Sequence, residues 1–167
     1  MLSRTASAVE EAGLDNVELL EGDMEAVPLP DDSVDLIISN GVVNLSPRKA
    51  RAMAECARVL RPGGRLCVSD LAVEQDELPP EILTQPAASA GCVAGALAEE
   101  DFVDKLERAG FERVEVLHRE PLGIDDCALY PLFSGEVIRL MRGLIPSERH
   151  DDVATAVVVR ATHPGSA

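Results

Sequence analysis

Four cysteines, three histidines and one polar strand end are the residues here whose types could do chemistry. The cysteines stand at 56, 67, 92 and 127. A thiolate is a nucleophile and a soft ligand for thiophilic centres, and two or three held together bind far better than one. The four are widely spaced and contain no C-x-x-C, so the spacing fits reduced thiols better than a disulfide framework. Cys92 lies in the small-residue stretch Ala90-Gly91-Cys92-Val93-Ala94. Cys56 and Cys67 fall on segments that must pack against a sheet and read as small apolar residues. His118, His150 and His163 show neither metal-ligand spacing nor an adjacent nucleophile. No Ser-His-Asp order and no P-loop occurs. The polar strand end is Ser39-Asn40-Gly41, which follows the apolar run Leu36-Ile37-Ile38.

The elements around these residues follow from local pattern. A continuous apolar run between polar and glycine positions reads as a strand buried on both faces, from Val34 to Asn40. Such a strand belongs to a parallel sheet covered by helices, where ligands sit beyond the carboxyl ends of the strands. Ser39, Asn40 and Gly41 therefore edge a candidate site. Upstream, residues 1–12 carry a helical face of Leu2, Ala6, Val9 and Ala12, and Gly13 stops it. Residues 16–21 read as a short strand ended by Gly22-Asp23. Pro28 and Pro30-Asp31-Asp32 make a turn.

Downstream, Ser46 and Pro47 supply an N-cap and a first-turn proline. Ala50, Met53, Ala54, Ala57 and Leu60 then mark a buried helix face. Arg61-Pro62-Gly63-Gly64 stops that helix, and residues 65–70 form a strand. Residues 71–98 are broken by prolines, and helical pieces lying over the site are expected there. Residues 99–109 are a helix with Phe102, Val103 and Leu106 inward; 113–118 and 152–162 are strands. Between the last two, residues 119–152 form an insertion with a helix capped by Ser134. The last two strands lack a crossover helix, which predicts an antiparallel end to an otherwise right-handed parallel α/β sheet. The chain is expected to form one domain over 1–167, with the insertion at about 119–152.

Composition narrows the classes of partner. The 167 residues carry 30 acidic against 15 basic side chains, a formal charge of −15. That sign opposes nucleic acid and anionic membrane surfaces. No run is long enough to cross a membrane. With the reduced thiols, these features predict a cytoplasmic protein. One tyrosine, three phenylalanines and no tryptophan leave the core to Leu, Val, Ile and Ala.

Two stretches carry a family resemblance. Residues 21–40 (EGDMEAVPLPDDSVDLIISN) and 58–70 (RVLRPGGRLCVSD) resemble the second half of a Rossmann-like S-adenosylmethionine methyltransferase. Residues 39–64 and 90–116, with the closing VVVRATHP, resemble the arsenite methyltransferases more narrowly. The resemblance implies S-adenosylmethionine as cofactor. It matches Asp23 to the acid that binds the adenine amino group and Met24 to the residue packing on the ring. A carboxylate accepts an exocyclic N–H and a thioether offers a soft apolar surface, which agrees. Ser39 and Asn40 match the strand end beside the methionine part and its methyl. Asn44 continues that loop on the acceptor side, and Cys92 matches a ligand of trivalent arsenic.

The departures from the family define the open questions. The family's G-x-G-x-G loop and its ribose-binding acid have no counterpart in these residues. The resemblance implies a domain incomplete at its N-terminus, lacking two strands that would lie between the 16–21 strand and the Val34 strand. Weak cofactor binding by this chain alone is the expectation. Either the 16–21 and Val34 strands pair directly, with Leu19 and Ile37 on adjacent strands, or a second copy covers the gap as a homodimer. The family loop reads Ser-Asn-Cys where this chain has Gly41, so one expected arsenic ligand is gone. Cys127 is the candidate substitute. The alternatives are a non-catalytic domain that works through a partner chain, and a methyltransferase for another small acceptor.

Overall fold

The computed structural model describes residues 2–74, 78, 79, 81, 95–129 and 135–165. Nine elements organise them: α1 (Leu2–Glu11), β1 (Val34–Asn40), α2 (Lys49–Val59), β2 (Leu60–Ala72), α3 (Glu99–Arg108), β3 (Glu112–Leu122), α4 (Ile124–Leu129), α5 (Gly135–Leu144) and β4 (Ala154–Thr162). The sheet order is β1-β2-β4-β3. β1 and β2 are parallel, while β4 runs antiparallel to both of its neighbours, β2 and β3. β1, β2 and β3 thus share one direction, and β4 is the reversed strand expected at the end of the chain. α4 and α5 occupy the 119–152 insertion, although β3 itself reaches Leu122.

Burial in β2 alternates strictly: Leu66, Val68, Asp70 and Ala72 are buried, and the residues between them are half-buried. Period-two alternation places these four on one face. That face meets Met53, Phe102, Leu106, Phe111, Val157 and Val159 in one apolar cluster. A second cluster joins Val73, Ile124, Cys127, Val137, Ile138, Met141 and Val153, and seats α4 and α5.

The Arg61–Gly64 turn does not end β2 but bends its start. Gly63 has φ +79°, a left-handed conformation, and a Cβ on Gly64 would lie 2.8 Å from the Arg61 carbonyl and 2.9 Å from Leu60 Cδ2. At Gly63 the space is open and the left-handed φ is what disfavours a side chain; at Gly64 a side chain would have to displace backbone. The register between β1 and β2 shifts there, from Val34↔Leu60 to Leu36↔Arg65.

Three expectations are corrected. Residues 16–21 form no strand; Val17, Leu19 and Leu20 are 41%, 38% and 43% exposed. Leu19 and Ile37 are therefore not on paired strands. β1 is the edge of the sheet, hydrogen-bonded only to β2 among the described residues, with Leu36 45% and Ile38 74% exposed. A strand is stabilised by cross-strand hydrogen bonds and packing, and with nothing alongside it the 16–21 run stays irregular despite its composition. Second, α1 forms as read, but none of its residues is buried. Third, α2 begins at Lys49, three residues after Ser46, and its own N-cap, Arg48, makes no side-chain cap bond. The Ser46 hydroxyl accepts instead from the Arg48 N–H at 3.1 Å. The helical pieces expected within 71–98, Ser134 and Cys92 lie outside the described residues for the most part or entirely.

Candidate functional site

A groove of about 410 Å³ opens along β1. Met24, Val27 and Leu29 form one side; Leu36, Ile37, Ile38 and Ser39 form its floor; Met53, Cys56 and Val59 of α2 close another side. The structure thus brings Met24 and Ser39, fifteen chain positions apart, to one apolar surface. Asp23 sits beside Met24, exposed, and its Oδ1 accepts the Glu25 N–H at 2.9 Å, an Asx turn that ends the approach to the groove. Asn40 is exposed at the carboxyl end of β1. Gly41 follows with φ +64°, open space where a Cβ would stand, and an N–H that donates to Ser69 O at 2.8 Å.

Asn44 is buried rather than presented on a surface. Its backbone N–H donates to Asp70 Oδ2 at 3.1 Å, and its Nδ2 donates to Asp70 Oδ1 at 2.8 Å and to Leu71 O at 2.7 Å. Asp70 also accepts the Leu71 N–H at 2.9 Å. Burial pushes the Asp70 carboxyl above the usual aspartate range, against the pull of these N–H donors.

The loop carrying Met24 is tied to α2 by two ionic clusters. Glu25, 4% exposed, accepts the Ser46 hydroxyl at 2.6 Å, the Arg48 N–H at 3.1 Å and the Arg48 Nε–H at 2.6 Å. Arg58 donates to the carbonyls of Val27 and Leu29, to Asp31 and to both oxygens of Glu55, while Glu55 accepts the Val27 N–H. The planar guanidinium fork makes this arrangement specific to arginine. The Ser46 hydrogen bond, aided by Arg48 and opposed by burial, holds the Glu25 carboxyl below its ordinary value of 4.5; the Arg58 hydrogen bond does the same for Glu55.

Acid should therefore loosen this loop. A carboxylate with a lowered folded pKa contributes stability that is complete above 4.5 and is lost as pH falls through the folded value. Asp70 acts oppositely, its contribution being lost as pH rises through its raised value, but it is one group against two. The melting temperature is expected to fall as pH drops below 4.5, and Glu25→Gln should lower it at neutral pH while flattening that acid limb. Melts of both proteins across that range check this; an equal shift at every pH would rule out the Glu25 carboxylate as the acid-sensitive group.

Two of the three described thiols, Cys127 and Cys56, are poor ligands as they stand. Cys127 is buried in the second apolar cluster and its thiol is pushed up to about 11, chiefly by burial. Burial and the nearby Glu55 charge push Cys56 to about 11 as well. The histidines serve locally: His163 meets the Phe111 ring edge-on at 6.3 Å, His150 Nε2 lies 2.9 Å from Ile145 O, and His118 faces Glu120 at 3.7 Å. Among the described residues no group of three His, Cys, Asp or Glu could hold a metal ion. No helix among them is long and apolar enough to cross a membrane.

Asp70 and the Glu25 and Arg58 clusters were not singled out in the sequence. Asp70 had a readable signal, since it falls in phase with Leu66 and Val68 on the buried side of β2. Glu25, Ser46 and Arg58 had none, because their partners lie some twenty to thirty positions away.

The apolar groove along β1, an edge strand parallel to β2, is the candidate small-molecule site of this α/β sheet. Residues 1–110 match the family model described as a methyltransferase domain, and the chain belongs to that family, whose cofactor is S-adenosylmethionine. The arsenite methyltransferase of Halobacterium salinarum is 40% identical over 120 residues, covering 72% of this chain and 30% of that protein. An arsenic(III) S-adenosylmethionine methyltransferase from Chlamydomonas reinhardtii, solved by crystallography, superimposes with a TM-score of 0.64 at 30% identity, covering 95% of this chain and 48% of that one. The YcgJ protein of Bacillus subtilis, at 17% identity, shares the fold with a TM-score of 0.79 over 99% of this chain and 79% of its own. The chain spans less than half the length of the curated arsenite methyltransferases it matches.

Proposed function

We propose that this chain carries the acceptor side and part of the cofactor side of an S-adenosylmethionine-dependent arsenite methyltransferase. The observation that supports the reading is that Met24 and Ser39 line one groove, with Asp23 and Asn40 next to them in the chain. Asp23 accepts the adenine amino group and Met24 packs on the ring. Ser39 and Asn40 edge the methionine part. When bound, the cofactor supplies a sulfonium methyl. This chain's residues hold a soft acceptor in line with it, and proximity supplies much of the rate. Cys92 holds the acceptor through its thiolate, and trivalent arsenic is the acceptor that suits a sulfur ligand.

Affinity of the chain alone is expected to be weak, because no G-x-G-x-G loop is present in these residues to bring backbone N–H groups to the cofactor. The free edge of β1 and the exposed Leu36 and Ile38 make this the place where a further strand, from a second copy or another polypeptide, completes the sheet.

Titration with S-adenosylhomocysteine, followed by amide chemical shifts, tests the site. Saturating shifts are expected at Asp23, Met24, Ser39 and Asn40 only at millimolar ligand. Shifts absent from these four would remove the cofactor assignment, and low-micromolar saturation would show that the chain binds cofactor without the loop.

A further inference from the structure

The loop after β1 is held at one point by a buried polar contact that the proposed chemistry does not use. Asn44 is 3% exposed and Asp70 5% exposed. Three N–H groups of the two residues' surroundings, the Asn44 backbone, the Asn44 carboxamide and the Leu71 backbone, all donate to the one Asp70 carboxylate. The same carboxamide donates to Leu71 O, so both of its hydrogens point at the carboxyl end of β2. Asn44 Oδ1 has no donor among the described residues. A buried acceptor without a partner costs stability, so the contact is not the arrangement that stability alone would favour. Three residues earlier, Gly41 bonds back to Ser69, one position before Asp70. Between these two attachments the chain must reverse from β1 into the turn before α2.

We propose that Asp70 and Asn44 form a clasp that positions Ser39, Asn40 and Gly41 at the mouth of the groove, both acting as positioning residues for the site. The proposal rests on the methyltransferase reading for what the loop serves, but not for the clasp itself. It places Asn44 on the acceptor side through the loop it fixes: its two side-chain hydrogens are spent within the protein. Asp70 supplies the fixed end, since it extends a central strand paired on both sides, to β1 and to β4. Replacement by asparagine puts an amide N–H₂ opposite donors, so at least one of the three bonds is lost.

Amide hydrogen exchange on the whole chain tests this with Asp70→Asn. Exchange at Asn44 and Gly41 should quicken by roughly tenfold or more, as expected when a buried anchoring bond is lost, while Val157 and Val159 in β4 keep their rates. The Gly41 amide is the decisive one, because its acceptor is Ser69 and not Asp70. An unchanged Gly41, or equal acceleration in β4, would overturn the clasp. Asn44→Ala keeps the carboxylate and its backbone donors, and it should move the same two amides in the same direction; an unmoved Gly41 there would also overturn it. S-adenosylhomocysteine shifts provide the functional arm. In Asp70→Asn they should vanish at Ser39 and Asn40 and persist at Asp23 and Met24, an outcome that general loosening would not give; full persistence at all four would overturn the positioning role. If the unaltered chain shows no such shifts, the cofactor assignment of these four residues fails, and the exchange rates still decide the clasp.

Discussion

Phe102→Ala should leave much of the chain unfolded at room temperature. Phe102 is 0% exposed and is the largest of the fully buried side chains. It stands in the first turn of α3 and fills the cluster between that helix, α2 and the β2–β4 face, with Met53, Leu66, Val68, Leu106 and Val157. Truncating a buried phenylalanine costs roughly 3–5 kcal/mol, from lost transfer energy and the cavity left behind. A domain of this size is stable by only about 5–15 kcal/mol. The core has few large side chains to spare, because the chain holds only three phenylalanines and no tryptophan. Leu106, one turn further on, lines the groove, so the loss should reach the site as well. Urea unfolding followed by circular dichroism measures it. A loss below about 1 kcal/mol would mean that the neighbours close over the cavity and that α3 is not fixed by this contact.

Cys92→Ser should abolish trivalent arsenic binding. A hydroxyl is a far poorer ligand for a soft centre than a thiolate. Two of the other thiols are poor substitutes: Cys127 is sealed in the second cluster, and burial raises the Cys56 thiol to about 11. Gly41→Cys should act in the opposite direction by adding a second thiol where arsenite methyltransferases are expected to have one. There is space for its Cβ, but φ +64° is a left-handed conformation that costs a non-glycine residue roughly 1–2 kcal/mol. The variant should therefore bind arsenic more tightly and melt earlier. Direct titration with arsenite, beside the melting temperature of each protein, separates the two effects. Arsenic affinity unchanged in Cys92→Ser would remove that residue from the acceptor site, and affinity unchanged in Gly41→Cys would show that the loop end does not face the acceptor.

Much of the architecture was legible because it is encoded over short distances. The run Leu36–Ile38, the strand read at 65–70 and the spacing of Phe102 and Leu106 each mark an element that formed, although β2 extends over Leu60–Ala72 and β1 is an exposed edge strand and not, as read, buried on both faces. The reversed β4 followed from two strands without a crossover. The 16–21 segment was misread for the converse reason: its composition suits a strand, but a strand requires a neighbour, which local sequence does not report. Ser46 was misread as a helix cap because its hydroxyl is taken by Glu25, twenty-one positions earlier. In the site, Met24 and Ser39 could be placed by resemblance. The clasp required the fold, since the one fact that defines it is that the end of β2 lies against the loop after β1.

The position of β4 sets the order in which this sheet can be completed. β2 gains its second neighbour, and β3 its one neighbour among the described strands, only through β4, which lies between them and comes last of the four in chain order. During synthesis the ribosome releases β1, α2, β2, α3 and β3 while the central slot of the sheet is still empty. Until Ala154–Thr162 emerges, one edge of β2 and the charged strand β3 wait unpaired in the nascent chain, and their pairing with β4 spans a large sequence separation. Such non-local closure is slow and exposes the chain to wrong partners in the meantime. The strand that gives the finished sheet its reversed neighbour therefore also fixes a window, between the synthesis of β2 and that of β4, in which a chaperone would have the most surface to protect.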